Sequence, residues 1–328
     1  MMGINELFDV IADIIGQRSA FVQIQIGNEY QSRHFGGSVP SRPKVMEEPS
    51  EEWCGWMGKA IDAALVSEGT KENHRNCLRH LQAYCQDMSF QDLCPRLVAG
   101  FESHLNGLGL KVNTVTKQMK IFRRYVNVAI SEDLLLSDPF RKWHSRTEPT
   151  SKQALTERNL AKWERMISDG NLTEEESVVA RAFLFSCYTG LRYSDVREAH
   201  YSNIKNVSRQ KWLVLRMQKT KNDVRIPLSK IFGGKALALV TTRGTLFPGL
   251  PANSRCNVLL MRMAKRIRLR KHVSFHSGRV TCATTLIHRG VPITTIQQIL
   301  GHRYIGTTQG YAHVLDNTVY KDVKKAFR

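Results

Sequence analysis

Hydrophobic positions recur along most of the chain at three- and four-residue intervals, the spacing that gathers them on one face of a helix. Ile4, Leu7, Phe8, Ile11, Ile14 and Ile15 predict a helix over 4–15, and Phe21 to Ile26 alternates like a short strand. From Gly36 to Ser50 the periodicity stops and three prolines and a glycine pair take over, which reads as a linker. Residues 1–49 therefore form an appendage of unassigned role. Helical spacing returns at Ser50. Trp53, Trp56, Met57, Ala60, Ile61 and Ala64 share one face, and Leu78, Leu81 and Tyr84 share the next. A third helix follows Pro95, and a fourth starts near Asn113 or Thr114 and buries Val115, Met119, Phe122, Val126 and Ile130. On that last helix Lys117, Lys120 and Arg124 stack on one side, as a basic stripe or simply as a solvated face. Arg141 to Pro149 reads as a polar connector.

Beyond the connector, Thr156 can cap a helix carrying Trp163 and Ile167. A more apolar helix runs from about Glu175 to Tyr188, with Gly190 as its stop. Lys211 to Met217 and Val224 to Leu228 are strand-like runs around the charged segment 218–223, which predicts a β-hairpin, with Pro227 suited to an edge. The chain then returns to helix through the basic run Met261 to Lys271. The pattern is mainly α with a small β-sheet, an α+β chain with a helical domain at 50–148 and a second domain at 149–328.

Charge sharpens this division. Residues 151–328 hold 31 basic and 11 acidic side chains, a net +20, whereas 1–50 carry −2 and 51–150 carry +1. So concentrated a positive charge binds a polyanion by counterion release, with strong salt dependence, and nucleic acid is the first candidate. No stretch approaches the roughly 18 uninterrupted apolar residues of a membrane span. Asp9 and Asp13 interrupt the apolar N-terminus, so neither export nor a membrane partner is expected. Seven cysteines without a CxxC pair indicate buried thiols in a reducing cytoplasm rather than a disulfide framework or a zinc module.

Candidate chemistry lies in the basic segment. Arg192 follows a glycine-terminated helix in Thr189-Gly190-Leu191-Arg192, so its guanidinium starts from a tight turn. His276 and Arg279 are three residues apart on one helical face. Leu300-Gly301-His302 follows, and Tyr311 lies nine residues beyond His302. Asp195, three residues after Arg192, is read as orienting that arginine by an ion pair. Carboxylates are too scattered for a two-metal site, and no metal or other cofactor is expected.

In this order and spacing the sequence resembles the tyrosine recombinase, or phage integrase, family. The catalytic motifs span 189–313, and the helical region before them resembles the family's core-binding domain, so the resemblance covers all but the first 49 residues. One departure is Gly278 before Arg279 and Val280 after it, where the family often has His-x-Leu-Arg-His.

The resemblance implies catalytic roles for Arg192, Lys219, His276, Arg279, His302 and Tyr311, with Lys221 as the alternative lysine in the same hairpin tip. Tyr311 would attack a DNA phosphodiester to form a 3′-phosphotyrosine, His276 would act as base, and Lys219 would protonate the leaving 5′-oxygen. Lys117, Lys120 and Arg124 would contact DNA. The implied partners are duplex DNA with an inverted-repeat core site, a homotetramer assembled on it and a host DNA-bending protein, and the implied location is the nucleoid. The outcome would be integration, excision or inversion of DNA. Two other readings stay open: a topoisomerase-like or telomere-resolving strand transferase, and a DNA-binding accessory factor that no longer cleaves. The tail, 314–328, has apolar spacing suited to docking on a neighbouring subunit or on its own domain.

Overall fold

The computed structural model describes residues 20–26, 29–35, 52–149, 154–311 and 324. The helix read over 4–15, the linker read over 36–50 and, Lys324 aside, the tail fall outside the described residues. The chain divides into two compact units, 1–149 and 150–328.

Among the described residues the first unit begins with β1 (Ala20–Ile26) and β2 (Glu29–Phe35), an antiparallel pair in which Ile26 is opposite Glu29. Its helical part comprises α1 (Trp53–Ala63), α2 (Glu68–Tyr84), α3 (Pro95–Gly107) and α4 (Val112–Ser131). Pro95 occupies the first position of α3, where its missing N–H costs no hydrogen bond. The core is a run of edge-to-face aromatic contacts from Phe90 to Trp53 (5.4 Å), Trp53 to Phe122 (5.8 Å) and Phe122 to Phe140 (5.1 Å). Phe140 is fully buried, and the segment after it is not a loose connector. Asn113 donates to the Glu148 carbonyl (2.8 Å), accepts from the Glu148 N–H (3.0 Å), and Thr116 donates to the Arg146 carbonyl. These contacts strap residues 146–148 along α4.

The second unit is built around α6 (Glu174–Thr189), preceded by α5 (Glu157–Ser168) and followed by the short α7 (Tyr193–Arg197). Thr156 caps α5 by accepting from the Asn159 N–H (3.2 Å). From Ala182 to Thr189 every residue of α6 is buried, and Gly190 ends the helix at φ +74°. A three-stranded antiparallel sheet follows: β3 (Ile204–Val207), β4 (Gln210–Arg216) and β5 (Asp223–Ile226), with β4 in the middle. The hairpin read in the sequence is β4–β5, while β3 is an addition. After a kinked 3-10 segment at Ile231–Leu239 come α8 (Asn253–Arg266), α9 (Phe275–His288), α10 (Ile293–Leu300) and α11 (Ile305–Gln309).

The basic helix read through Lys271 stops five residues early, at Arg266. Arg268 turns to φ +53° and the Leu269 N–H donates back to the Ala264 carbonyl (2.9 Å), which folds an apolar side chain toward the core and ends a run of like charges. Gly278 has a packing reason of its own. A Cβ there would lie 2.8 Å from Ser186 Oγ and 3.2 Å from the Cys187 nitrogen, so its absence lets α9 press against α6.

Glu176 closes the N-terminus of α6. Its carboxylate accepts from the Thr173 N–H (3.2 Å) and takes both arms of the Arg266 guanidinium (2.8 and 3.0 Å), while being almost fully buried. Burial alone would raise its pKa, but the Arg266 hydrogen bonds, the Thr173 N–H and the charges of Arg266 and Arg262 outweigh burial and hold it below the ordinary value. A carboxylate with a depressed folded pKa adds stability that is present above the unfolded value of about 4.3 and is lost as pH falls through the folded value. Glu176→Gln is therefore expected to lower stability by about 1–2 kcal/mol at pH 7. The difference should shrink as urea melts are repeated below about pH 4; an unchanged difference there would contradict the ionic contribution.

Candidate active site

The turn at the end of α6, the start of α9, the loop after α10 and the β4–β5 tip supply the residues singled out by the sequence. Arg279 on α9 is 1% exposed, an unusual place for a guanidinium. It donates through Nη1 to the Gly190 carbonyl (2.7 Å) and through Nη2 to the Leu300 carbonyl (2.6 Å). One side chain thereby ties together two helix C-termini, whose carbonyls lack helical partners. Burial, and after it the charge of Arg192, pulls the Arg279 guanidinium down to about 10, while Tyr311 and Asp195 act in the opposite sense. It remains cationic near neutral pH.

Tyr311 is 4% exposed and lies within side-chain hydrogen-bonding reach of Arg279. Its ring stacks parallel to that of His302, with centroids 5.9 Å apart and planes within 1°. Thr308 organises both: its hydroxyl pairs with His302 Nδ1 (2.8 Å) and its carbonyl accepts from the Tyr311 N–H (3.0 Å). Gln297 frames the same loop from α10, accepting from the His302 N–H (3.1 Å) and donating to the His302 carbonyl (3.1 Å). Neither Thr308 nor Gln297 stood out in the sequence.

Arg192 is half-buried, and its Nη1 points at Met217 Sδ (3.6 Å). Asp195 does not orient it by the ion pair read from the sequence. Its carboxylate, 2% exposed, accepts instead from two backbone N–H groups, those of Arg192 (3.2 Å) and Gln218 (2.8 Å). A carboxylate at the third residue of a helix faces back toward the cap, so the contact with the Arg192 N–H follows from helix geometry. The Gln218 contact ties this turn to the hairpin. Lys219 and Lys221 both lie exposed in that tip, Lys221 at φ +57°. His276 is exposed in the first turn of α9, one turn before Arg279. The structure thus brings Arg192, Arg279, His302 and Tyr311 around one buried centre, with His276 and Lys219 on the exposed elements that border it.

Residues 162–318 match the phage integrase family, and residues 54–145 match the phage integrase SAM-like domain. The chain belongs to the tyrosine recombinase family. Among its relatives, a tyrosine recombinase of Thermosipho africanus is 22% identical over 262 residues, 78% of this chain and 90% of the relative. The fold is similar to that of a lambda integrase tetramer bound to a Holliday junction, with TM-score 0.65 and 16% identity over 80% of this chain and 78% of that one. It is similar as well to the Tn1549 transposon integrase in complex with a circular intermediate DNA, with TM-score 0.65 and 19% identity over 84% of this chain and 100% of that one.

In this tyrosine recombinase the SAM-like domain carries the basic stripe. Lys117, Lys120 and Arg124 are all exposed on α4, and Lys117 donates to Asn73 on α2. Lys120 and Arg124 form a ridge between two open grooves of about 540 and 500 Å³. Arg123, Trp143 and His144 line one groove, and His74, Asn113 and Thr147 line the other. Burial, then the charges of Arg124 and Lys117, hold the His74 ring below its ordinary pKa. Arg123, Trp143 and His144 add to the stripe what sequence spacing did not connect, because the chain segment 143–147 returns to α4 only in the folded unit. Among the described residues no helix is long and apolar enough to cross a membrane.

Proposed function

We propose that this tyrosine recombinase cleaves and rejoins duplex DNA at a specific site through a 3′-phosphotyrosyl intermediate. The observation that carries the reading is Tyr311, held against the buried Arg279 and stacked on His302. A phenol is a weak nucleophile near neutrality because it is mostly protonated, and a cationic neighbour favours the phenolate as it forms. Attack of Tyr311 Oη on phosphorus makes the Oη–P bond and breaks the P–O5′ bond, with His276 taking the phenolic proton and Lys219 giving one to the departing oxygen. Arg192, Arg279 and His302 stabilise the charge on the non-bridging oxygens, which prepositioned donors in a dry site do effectively. Reversal with a different 5′-hydroxyl rejoins the strand, so the phosphotyrosine conserves the bond energy.

Lys117, Lys120 and Arg124, with the grooves beside them, hold the DNA backbone from the SAM-like domain. The assembly on DNA is a homotetramer at an inverted-repeat core site, a reading supported by the solved lambda integrase tetramer on a Holliday junction. A host DNA-bending protein assists it, and the protein acts on the nucleoid.

The test is recovery of DNA covalently bound to denatured protein from cells expressing wild type or Tyr311→Phe, followed by sequencing of the attached ends. Discrete ends from wild type alone are expected, and they identify the cleavage site. Equal attachment in both would assign the nucleophile to another residue. Attachment in neither would favour the accessory-factor reading.

A further inference from the structure

We propose that Thr220 and Asn222 are positioning residues for Lys219, holding the hairpin tip against the loop that carries His302. The inference rests on the assignment of Lys219 as the proton donor to the leaving 5′-oxygen. Lys219 lies exposed in a tip that departs from β4 after Arg216 and joins β5 at Asp223. A lysine on such a tip has four rotatable bonds of its own, and an untethered loop beneath it would leave the ammonium without a fixed origin.

The tip is tethered on both sides of Lys219. Just before it, the Gln218 N–H donates to Asp195 (2.8 Å). Just after it, Thr220 Oγ1 and Asn222 Nδ2 both donate to the carbonyl of Gly301 (3.2 and 3.3 Å). A carbonyl oxygen has two lone pairs and can accept both. The close approach is built in, because a Cβ on Gly301 would lie 2.2 Å from Met217 Sδ and 2.8 Å from Val224 Cγ1. Gly301 precedes His302, whose ring lies on Tyr311. The tether therefore sets the lysine in register with the nucleophile through two steps, hydrogen bonds from Thr220 and Asn222 to Gly301 and the peptide bond from Gly301 to His302.

The test uses the full chain in single-turnover cleavage of a duplex carrying the site recovered from the covalent adducts. One duplex has the natural 5′-oxygen at the scissile bond and the other a bridging 5′-sulfur. With oxygen, the P–O5′ bond breaks and the departing oxygen takes a proton from the Lys219 ammonium, which becomes a neutral amine. With sulfur, the P–S bond breaks and a thiolate leaves without a proton. The Thr220→Val/Asn222→Ala double variant is expected to cleave the oxygen duplex about 10-fold to 10²-fold more slowly, the scale of a misplaced catalytic group. On the sulfur duplex it should cleave at close to the wild-type rate, with unchanged DNA affinity. Thr220→Ser keeps its donor and should match wild type, and Asn222→Asp, the same shape with an acceptor in place of the donor, should show the defect alone.

Equal slowing on both duplexes, or no slowing on either, would overturn the proposal. Lys219→Ala is measured alongside. If sulfur rescues it but not the double variant, the positioning role fails and the lysine assignment stands. If sulfur does not rescue Lys219→Ala, the lysine assignment itself fails.

Discussion

Arg279→Ala should lower single-turnover DNA cleavage by about 10³-fold and lower the thermal midpoint of the protein by on the order of 10 °C. The rate follows from removing a prepositioned cationic donor from the reacting phosphate, worth about 10²-fold to 10³-fold alone, together with the loss of its contact to Tyr311. The midpoint has a separate origin. Arg279 satisfies the carbonyls of Gly190 and Leu300 in a region sealed from water, and each stranded acceptor costs about 1–3 kcal/mol. A cavity left by a side chain only 1% exposed adds to that. A total of roughly 3–5 kcal/mol, at about 2–4 °C per kcal/mol for a domain of this size, gives the stated shift. Calorimetry and single-turnover kinetics on the same preparation separate the two effects. Lost cleavage with an unmoved midpoint would contradict the bracing role, and a lowered midpoint with intact cleavage would remove Arg279 from the chemistry.

Gly301→Ala is expected to have the second largest effect, a stability loss of about 2–4 kcal/mol with cleavage reduced by about 10²-fold. Two costs combine. The residue sits at φ +61°, where a side chain costs about 1–2 kcal/mol. Its new Cβ would also collide with Met217 Sδ and Val224 Cγ1, and both neighbours are fully enclosed and cannot swing into solvent. Relief has to come from the backbone, by parting the hairpin from the loop before His302. Gly244 provides the comparison: it has nearly the same φ, +65°, but nothing lies within 4 Å of an added Cβ. Gly244→Ala should show the conformational cost alone, and denaturant melts of the two variants measure the difference. Equal losses would mean that the hairpin yields without cost and that its close approach has no structural weight.

Much of the fold was readable because its helices obey simple periodicity. Trp53, Met57 and Ile61 are buried on α1 as their spacing requires, and Thr156 and Gly190 cap α5 and α6 as their chemistry requires. Strand β3 escaped detection for a physical reason: Lys205, Asn206 and Val207 are all exposed, so the strand presents no alternation. The basic run from Met261 to Lys271 looked helical throughout because Met263, Ala264 and Ile267 keep helical spacing. What ends the helix is the left-handed Arg268, and Arg is a residue without turn preference.

At the site, residue order and spacing singled out candidates that the fold gathers, Arg192, Arg279, His302 and Tyr311 among them, but not their environments. Nothing in His-x-x-Arg says that Arg279 is sealed between two helix ends. Asp195 invited an ion pair with Arg192 because opposite charges three residues apart face each other on a helix. The folded chain uses that carboxylate for backbone donors on two different segments. Long-range partners of this kind, like Thr220 and Gly301, depend on tertiary closure and leave no local pattern.

The compactness of the 302–311 loop bears on how copies of the protein share work. His302, Thr308 and Tyr311 are joined by contacts inside one ten-residue stretch, and Tyr311 rests beside the Arg279 of its own chain. On the proposed roles, each copy carries its own nucleophile and cation, so assembled copies would coordinate the timing of their cuts and need lend one another no part of this pair.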